Sequence, residues 1–463
     1  FIYHCDIEKV QRFRFFVRFD GIMYETEYWC MPVAVFSKNV GSYVRGGYKL
    51  TLVDNCEIYA EKADEEKTES VRREQNLFFK NKPGIFGLRE LSLEYRKNHR
   101  VWLYYDLYTV DKDNGYYQFI NDFKHKDDGV DRYYVYGREL SEIEGLFDEE
   151  QKKHLVLFGS ELHKLLYLSA EKILTAFYGF TTISPFETEE EEANYIDIQD
   201  FETVYLQHGI LHAHLVIKNH AERCRAEKIV VSTPFEKKNY MENYGYEEDE
   251  LICTGMARYD YIDREAESSN RILFAPSWRE YLTIPLSGSK WELLGNKVSS
   301  SDYYKKFMEF LTDPELYRVL EKKDMHLDFK LHPIIKDAKG LFQCENDRIH
   351  MAPESVRAED YKIFVTDYSS YVFDFVYLKR AIMYFVPDMD QFKSGMNHYR
   401  ELDLPFEKAF GPLVLEPKDA VDKLTELINR DGKADIIYYD RMRNFFFERE
   451  NHADGLYDYL IKK

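Results

Sequence analysis

Phe364-Val-Thr-Asp-Tyr-Ser-Ser370 runs from an apolar strand into a hydroxyl-rich turn, and the pattern that follows predicts a helix over Tyr371–Lys379. Strand, polar turn and helix in that order are the repeating unit of a parallel sheet, and ligands of such sheets bind at the carboxyl ends of the strands. Free N–H groups and the positive dipole end of the helix would face the turn and suit a diphosphate, with Ser369 and Ser370 adding hydroxyl donors. Serines at a helix start also act as plain caps, and Asp374 in the first turn fits capping and would repel an anion beside it.

The same alternation extends outward from this segment. Strands read at Arg271–Ala275, Leu327–Leu331, Ile349–Met351, Ile363–Thr366, Ile382–Val386 and Leu413–Leu415 interleave with helices near 302–323, 354–361, 370–379 and 417–429. An earlier series reads as strands at Val101–Leu107, Tyr133–Tyr136, His154–Phe158, Val204–Leu206 and Ile229–Ser232, with a helix such as Glu161–Lys172 between them. Two alternating series imply an α/β protein with two Rossmann-like domains and a cleft between them. Before them, Tyr48-Lys-Leu-Thr-Leu-Val53 and Cys56-Glu-Ile-Tyr-Ala60 show period-two patterning among glycines, and mark a small β-rich module. The expected division is residues 1–66 for that module, 67–98 for a helical connector, 99–252 and 253–435 for the Rossmann-like domains, and 436–463 for a C-terminal helix crossing back over the first.

Composition narrows the function classes. The chain of 463 residues carries 44% hydrophobic and 16% aromatic residues, enough for several packed cores. Its net charge of −20 opposes phosphate-backbone binding, and no basic stripe offsets it, so nucleic acid is excluded as a partner. Six scattered cysteines without a CxxC pair fit a reducing compartment. No apolar run is long enough to span a membrane and no signal-peptide pattern opens the chain, so the expected location is cytoplasmic, with peripheral contact at the inner membrane face left open. A start at Phe1 leaves room for neighbouring polysaccharide-synthesis domains outside this segment. The acidic stretch Glu187-Thr-Glu-Glu-Glu-Glu192 reads as a solvated loop.

Candidate chemistry gathers at strand ends. Tyr205-Leu-Gln-His-Gly209 sets His208 just past an apolar strand, where a neutral imidazole serves as general base or as a hydrogen-bonded structural residue. His212, His214 and His220 follow, without the His-Glu-x-x-His arrangement of a metal site, and no metal or organic cofactor is expected. Phe329-Lys-Leu-His-Pro333 sets His332 at another strand end, as a phosphate holder or a turn residue. Ala275-Pro-Ser-Trp-Arg-Glu280 offers the Arg279 fork to a phosphate or to a salt bridge. Walker, GxGxxG and GxSxG patterns are absent, which disfavours P-loop, dehydrogenase and hydrolase chemistry.

Taken in order, Gln207-His-Gly209, Thr254-Gly-Met-Ala-Arg-Tyr-Asp260, Phe274-Ala-Pro-Ser-Trp-Arg279, Leu331-His-Pro333, Val365-Thr-Asp-Tyr-Ser-Ser-Tyr-Val-Phe-Asp-Phe375 and Asn451-His-Ala-Asp-Gly455 resemble the CDP-glycerol glycerophosphotransferase family of teichoic acid polymerases and primases. The resemblance implies a GT-B fold whose second Rossmann domain binds a CDP-alditol donor and whose first faces a lipid-linked or polymeric acceptor. It implies catalytic roles for His208, as base toward the acceptor hydroxyl, and for His332. It further implies substrate contacts from Gln207, Gly209, Arg258, Arg279, Thr366, Asp367, Ser369, Ser370 and Asp454. A CDP-ribitol donor, a sugar-transferring GT-B enzyme and a non-catalytic nucleotide-binding module are the competing readings. Many members carry Trp-His-Gly-Thr-Pro and then lysine where this chain has Gln207-His-Gly-Ile-Leu-His212, and the family's Tyr-Pro-Arg-Asn-Asp pattern is altered to Met256-Ala-Arg-Tyr-Asp260.

Overall fold

Strands whose residues are buried on both faces read as unbroken apolar runs, and such strands belong to parallel sheets covered by helices on each side. Arg100–Tyr105 is such a run, buried from Val101 onward. In the computed structural model it lies inside a seven-stranded sheet, next to the central strand. The structure describes residues 57–107, 112–137, 139–215, 219–221, 224, 226–285, 291–332, 334–335, 340–342, 346–353, 355–397 and 399–462, with 11–14, 16–19, 22–25, 42–45 and 47–54 before them.

The seven-stranded sheet is parallel throughout, ordered Leu251–Ile252, Lys228–Val230, Glu202–Tyr205, Ala170–Thr175, Arg100–Tyr105, Val130–Tyr136, Leu155–Leu157. The chain moves outward from Arg100–Tyr105 in one direction, then returns to its other side at Ala170–Thr175, so the strand order reverses between these two. A second parallel sheet of six strands is ordered Ile349–Met351, His326–Phe329, Arg271–Phe274, Ile363–Thr366, Ala381–Phe385, Leu413–Val414. Its order reverses between Arg271–Phe274 and Ile363–Thr366, which puts the turns after Phe274 and Thr366 at the place where such sheets bind ligands. Ahead of both, four antiparallel strands ordered Gln11–Arg14, Glu57–Lys62, Tyr48–Asp54, Ser42–Arg45 form a small sheet, and helices Glu65–Phe79 and Pro83–Asn98 follow it.

Each large sheet is sandwiched between apolar layers. Trp102, Tyr104, Leu174 and Val204 pack on Phe119 and on Leu456 and Leu460 of the last helix, while Val101, Leu103 and Ile173 face Leu166 and Leu168. In the second sheet Ile272, Phe274, Val365 and Met383 meet Phe307, Phe310 and Leu424, while Leu273, Phe364 and Ile382 meet Val372, Phe375 and Val376. Each of these large side chains contributes about 1.5–3 kcal/mol by leaving water.

Several boundaries differ from the sequence reading. The segment expected as a helix over 161–172 is helical only over Glu161–Ser169 and then enters the central strand Ala170–Thr175, where Ile173, Leu174 and Thr175 are fully buried. The long helix expected over 302–323 is two helices, Asp302–Leu311 and Pro314–Lys322, because Asp313 caps the second through the N–H groups of Glu315 and Leu316 and Pro314 cannot continue the first. In 354–361 the described backbone forms a single 3₁₀ turn, Ala358–Asp360. The acidic stretch holds a short helix, Glu189–Glu192, in which Glu192 is buried and accepts from Tyr167 and Gln199.

The C-terminal segment is also two helices. Ile436–Arg443 stays with the second sheet through Met442, and His452–Ile461 buries Leu456, Tyr457 and Leu460 against the first. Asp260 accepts from the N–H groups of His452 and Ala453, both at 2.8 Å, capping the crossing helix. Gly255, at φ +80°, leaves room for the His452 ring, whose Nδ1 would lie 2.4 Å from an added Cβ and instead sits 2.7 Å from the Thr254 carbonyl. Thr254–Asp260 and Asn451–Gly455 thus meet as one structural lock between the two halves. Among the described residues no helix is long and apolar enough to cross a membrane.

Candidate active site

The turn that carries His208 begins with a residue in an unfavourable conformation. Gln207 has φ +60°, which costs a non-glycine residue on the order of 1–3 kcal/mol and persists only where the surroundings impose it. Its carbonyl accepts from Asn114 Nδ2 at 2.7 Å, its Nε2 donates to the Val230 carbonyl at 2.6 Å and to Glu236 at 3.1 Å, and its Oε1 accepts from the Tyr240 hydroxyl at 3.0 Å. Glu236 is wholly buried, which pushes its carboxyl up to about 7 although it also accepts from the Ser232 N–H. The Gln207 side chain is therefore spent inside the first domain. This corrects its expected role as a substrate contact: it bends the backbone so that the next side chain points outward. His208 is exposed, its ring stacked on Phe177 at 4.4 Å and 13°, with the Tyr205 hydroxyl 3.4 Å from Nδ1.

In the second domain, the turns at the switch point are braced from below. Arg279 is completely buried, its Nε and Nη2 on Asp388 at 2.5 and 2.8 Å and its Nη1 2.8 Å from Asp367, between the rings of Tyr303 and Tyr368. Asp367 also accepts from the N–H groups of Ser277 and Tyr368. Thr366, equally buried, donates to the Ala275 carbonyl. The resemblance places Arg279, Asp367 and Thr366 at the substrate; the structure instead makes them the frame that holds 275–279 against 366–368. Asp454 is exposed, bonded to Asn121 at 2.8 Å and 3.9 Å from His125, away from the cleft.

Ser369 and Ser370 do reach the cleft, but the helix behind them is shorter than the sequence suggests. It spans Val372–Tyr377, and Ser369 Oγ accepts from the Tyr371 N–H. Little dipole accrues in so short a helix, so the positive charge here comes from a side chain. Asp374 does not cap; it pairs with Arg258 at 2.7 Å. Burial opposes the Arg258 charge, yet Asp374, Tyr259 and Asp113 outweigh it and hold the guanidinium well above its usual range. The backbone N–H of Arg258 bonds Asn114 Oδ1 at 3.0 Å, so Asn114 ties the His208 turn to the Arg258 segment.

One cleft of about 230 Å³ brings these parts together: His208 from the first domain, then Arg258, and from the second Lys330, His332, Ser369 and Ser370. Gly209 sits so close to the second domain that an added Cβ would be 3.4 Å from Ser370 Oγ. Burial first, and then Lys330, push His332 down to about 4, and its Nδ1 accepts from the Ile334 N–H, so the neutral ring has Nε2–H left to donate. Sequence reasoning missed Lys330, although it stands two residues before His332 at the same strand end. The other histidines scatter: His212 is buried against Phe373, His214 pairs with Asp403, and His220 packs on Gly245. Among the described residues no cluster of three histidine, cysteine or carboxylate side chains could hold a metal.

Two parallel sheets whose loops face one another across a cleft, locked by a C-terminal helix that returns to the first, define the GT-B architecture. The sequence model of the CDP-glycerol:poly(glycerophosphate) glycerophosphotransferase family matches residues 94–459, and the chain belongs to that family. The minor teichoic acid biosynthesis protein GgaB of Bacillus subtilis (strain 168) is 25% identical over 379 residues, covering 78% of this chain and 40% of GgaB. The teichoic acid poly(ribitol-phosphate) polymerase of Bacillus spizizenii is 25% identical over 233 residues, covering 48% of this chain and 35% of that protein. The chain thus spans less than half the length of these relatives. Among solved structures, the wall teichoic acid polymerase TagF superposes with a TM-score of 0.55 at 14% identity, over 85% of this chain and 96% of that one, a likeness of fold.

Proposed function

We propose that this chain transfers an alditol phosphate, glycerol phosphate first among the candidates, from a CDP-activated donor to a hydroxyl of a growing teichoic acid or capsular polymer, releasing CMP. The observation that carries the proposal is the pairing of an exposed histidine on the first domain, His208, with a cationic and hydroxylic wall on the second, within one cleft. His208 takes the proton of the acceptor hydroxyl. That oxygen bonds to the donor's β-phosphorus while the bond from this phosphorus to the bridging oxygen breaks, and CMP leaves with the electron pair. Arg258, Lys330, the Nε2–H of His332 and the hydroxyls of Ser369 and Ser370 stabilise the phosphate charge that grows on CMP, and such placed donors supply most of the rate in phosphoryl transfer. Tightly held hydrogen bonds to Gln207 keep His208 in position without a substrate contact of their own.

Ribitol phosphate is the second reading, favoured because the relatives include polymerases named for ribitol as well as for glycerol. One or two hydroxyl contacts separate the two donors. Thermal unfolding of the purified chain with CDP-glycerol, CDP-ribitol, CDP and UDP-N-acetylglucosamine tests the choice without an acceptor, since a ligand at about 100 times its dissociation constant adds roughly 2.7 kcal/mol. Selective stabilisation by CDP-glycerol supports the first reading and by CDP-ribitol the second. A preference for the UDP-sugar overturns both.

A further inference from the structure

A second concavity, about 440 Å³, lies where the chain leaves the helix Ile436–Arg443 and turns toward the first domain. Its floor is apolar, with Tyr377, Met442 and Phe446. Its rim carries Arg264, Lys379, Arg443 and Arg449 against two carboxylates, Glu448 and Glu450. This balance inverts that of the chain, in which 83 acidic residues outnumber 63 basic ones. Arg443 approaches Asp440 at 3.5 Å and Arg264 lies over the Tyr377 ring at 5.0 Å. Lys379 and Arg449 form no ion pair among the described residues. Two of these cations are held by backbone features: Lys379 has φ +55°, and the Arg449 guanidinium lies where an added Cβ on Gly455 would be 2.1 Å away. The helix Val372–Tyr377 connects the two concavities, with Tyr371 at its start lining the reaction cleft and Tyr377 at its end lining this one. Six residues at 1.5 Å rise separate them by roughly 9 Å.

We infer that this groove binds the phosphodiester chain of the acceptor polymer, a short way along it from the end that reacts. The inference rests on the proposed function, because a growing alditol-phosphate polymer is a flexible polyanion with one charge per repeat. Spaced cations over an aromatic and apolar floor match such a chain: the phosphates meet the rim and the carbon backbone meets Phe446 and Tyr377. A weak second hold of this kind raises the local concentration of polymer ends at the cleft.

The test compares the wild-type chain with an Arg264→Gln/Arg443→Gln double variant. Both side chains are exposed and lie outside the catalytic machinery, so folding is retained and an unchanged melting profile verifies it. Calorimetric binding of a synthetic oligo(glycerol phosphate) should weaken about tenfold in the variant. The slope of log Kd against log salt should fall by roughly 1.4, at about 0.7 for each phosphate that no longer meets a cation on a flexible polyanion. In a CMP-release assay the variant should need a higher concentration of the oligomer, while a single-unit acceptor is used as by the wild type. Equal oligomer binding by the two proteins overturns the inference, as does a loss of binding confined to vesicles of phosphatidylglycerol, which would make the groove a lipid-binding surface. Absence of CMP release by the wild type with either CDP-alditol would instead count against the proposed function, and the binding measurement would still judge the groove.

Discussion

Replacing Arg279 with methionine separates a structural brace from a phosphate ligand. In the native protein the guanidinium is fully buried and shared by Asp367 and Asp388. Methionine fills much of the volume but leaves two carboxylates buried without their cation, and breaking a buried pair in this way costs about 3–5 kcal/mol. The Tyr303 and Tyr368 rings also lose the cation that lies between them. For a domain of this size about 2–4 °C of melting temperature go with each kcal/mol, so the variant should melt roughly 6–20 °C lower. Urea unfolding followed by tryptophan fluorescence and near-UV circular dichroism measures the same destabilisation. Adding Asp388→Asn to Arg279→Met should restore part of the stability, because one of the stranded charges is removed. A variant that melts like the wild type but no longer binds CDP-glycerol would refute the reasoning and return Arg279 to the donor site.

Three further outcomes follow from the geometry. Asn114→Ala strands the Gln207 carbonyl and the Arg258 N–H in the interior, so urea unfolding should show a loss of about 1–3 kcal/mol, with turnover reduced because the His208 turn loses its tie to Arg258. Gly255→Ala places a methyl group against the His452 ring at a left-handed position, and hydrogen exchange in His452–Ile461 should quicken as that helix undocks. Burial pushes His212 down from 6.5 to about 4, so between these values the unfolded chain takes up a proton that the folded chain refuses, and acid destabilises the protein. His212→Leu removes this share, and its stability relative to the wild type should improve by about 2 kcal/mol between pH 7 and pH 5. An unchanged difference across that range would contradict the assignment.

The sequence pattern reveals the elements whose burial is two-sided and whose turns are polar. The strands at 271–274 and 363–366 stand out because Ile272-Leu-Phe274 and Ile363-Phe-Val365 run unbroken before Pro276 and Thr366, whereas His326–Phe329 and Ile349–Met351 carry Asp328 and His350 and are marked mainly by the prolines that follow them. Ala170–Thr175 is hidden because Leu165–Leu168 continues a helical period directly into it, with no glycine or proline to mark the change. His208, Gly209, His332, Ser369 and Ser370 are legible as cleft residues from their position after strands, and Arg258 only through the family resemblance. Gln207, Arg279, Thr366, Asp367 and Asp454 are not legible as structural, since a residue type suited to phosphate looks the same in a sequence whether its partner is a ligand or a buried carboxylate. Partners such as Asp388, 109 residues from Arg279, emerge only from the fold. Lys330 carries a usable signal that sequence reasoning passed over, a cation at a strand end beside a histidine.

CMP release from CDP-glycerol or CDP-ribitol with a polymeric acceptor tests most directly the proposed role of His208 as the base of a CDP-alditol transfer. His208→Ala should lower turnover by roughly 10²–10⁴ while donor-induced thermal stabilisation stays close to that of the wild type. Wild-type turnover in His208→Ala would contradict the account.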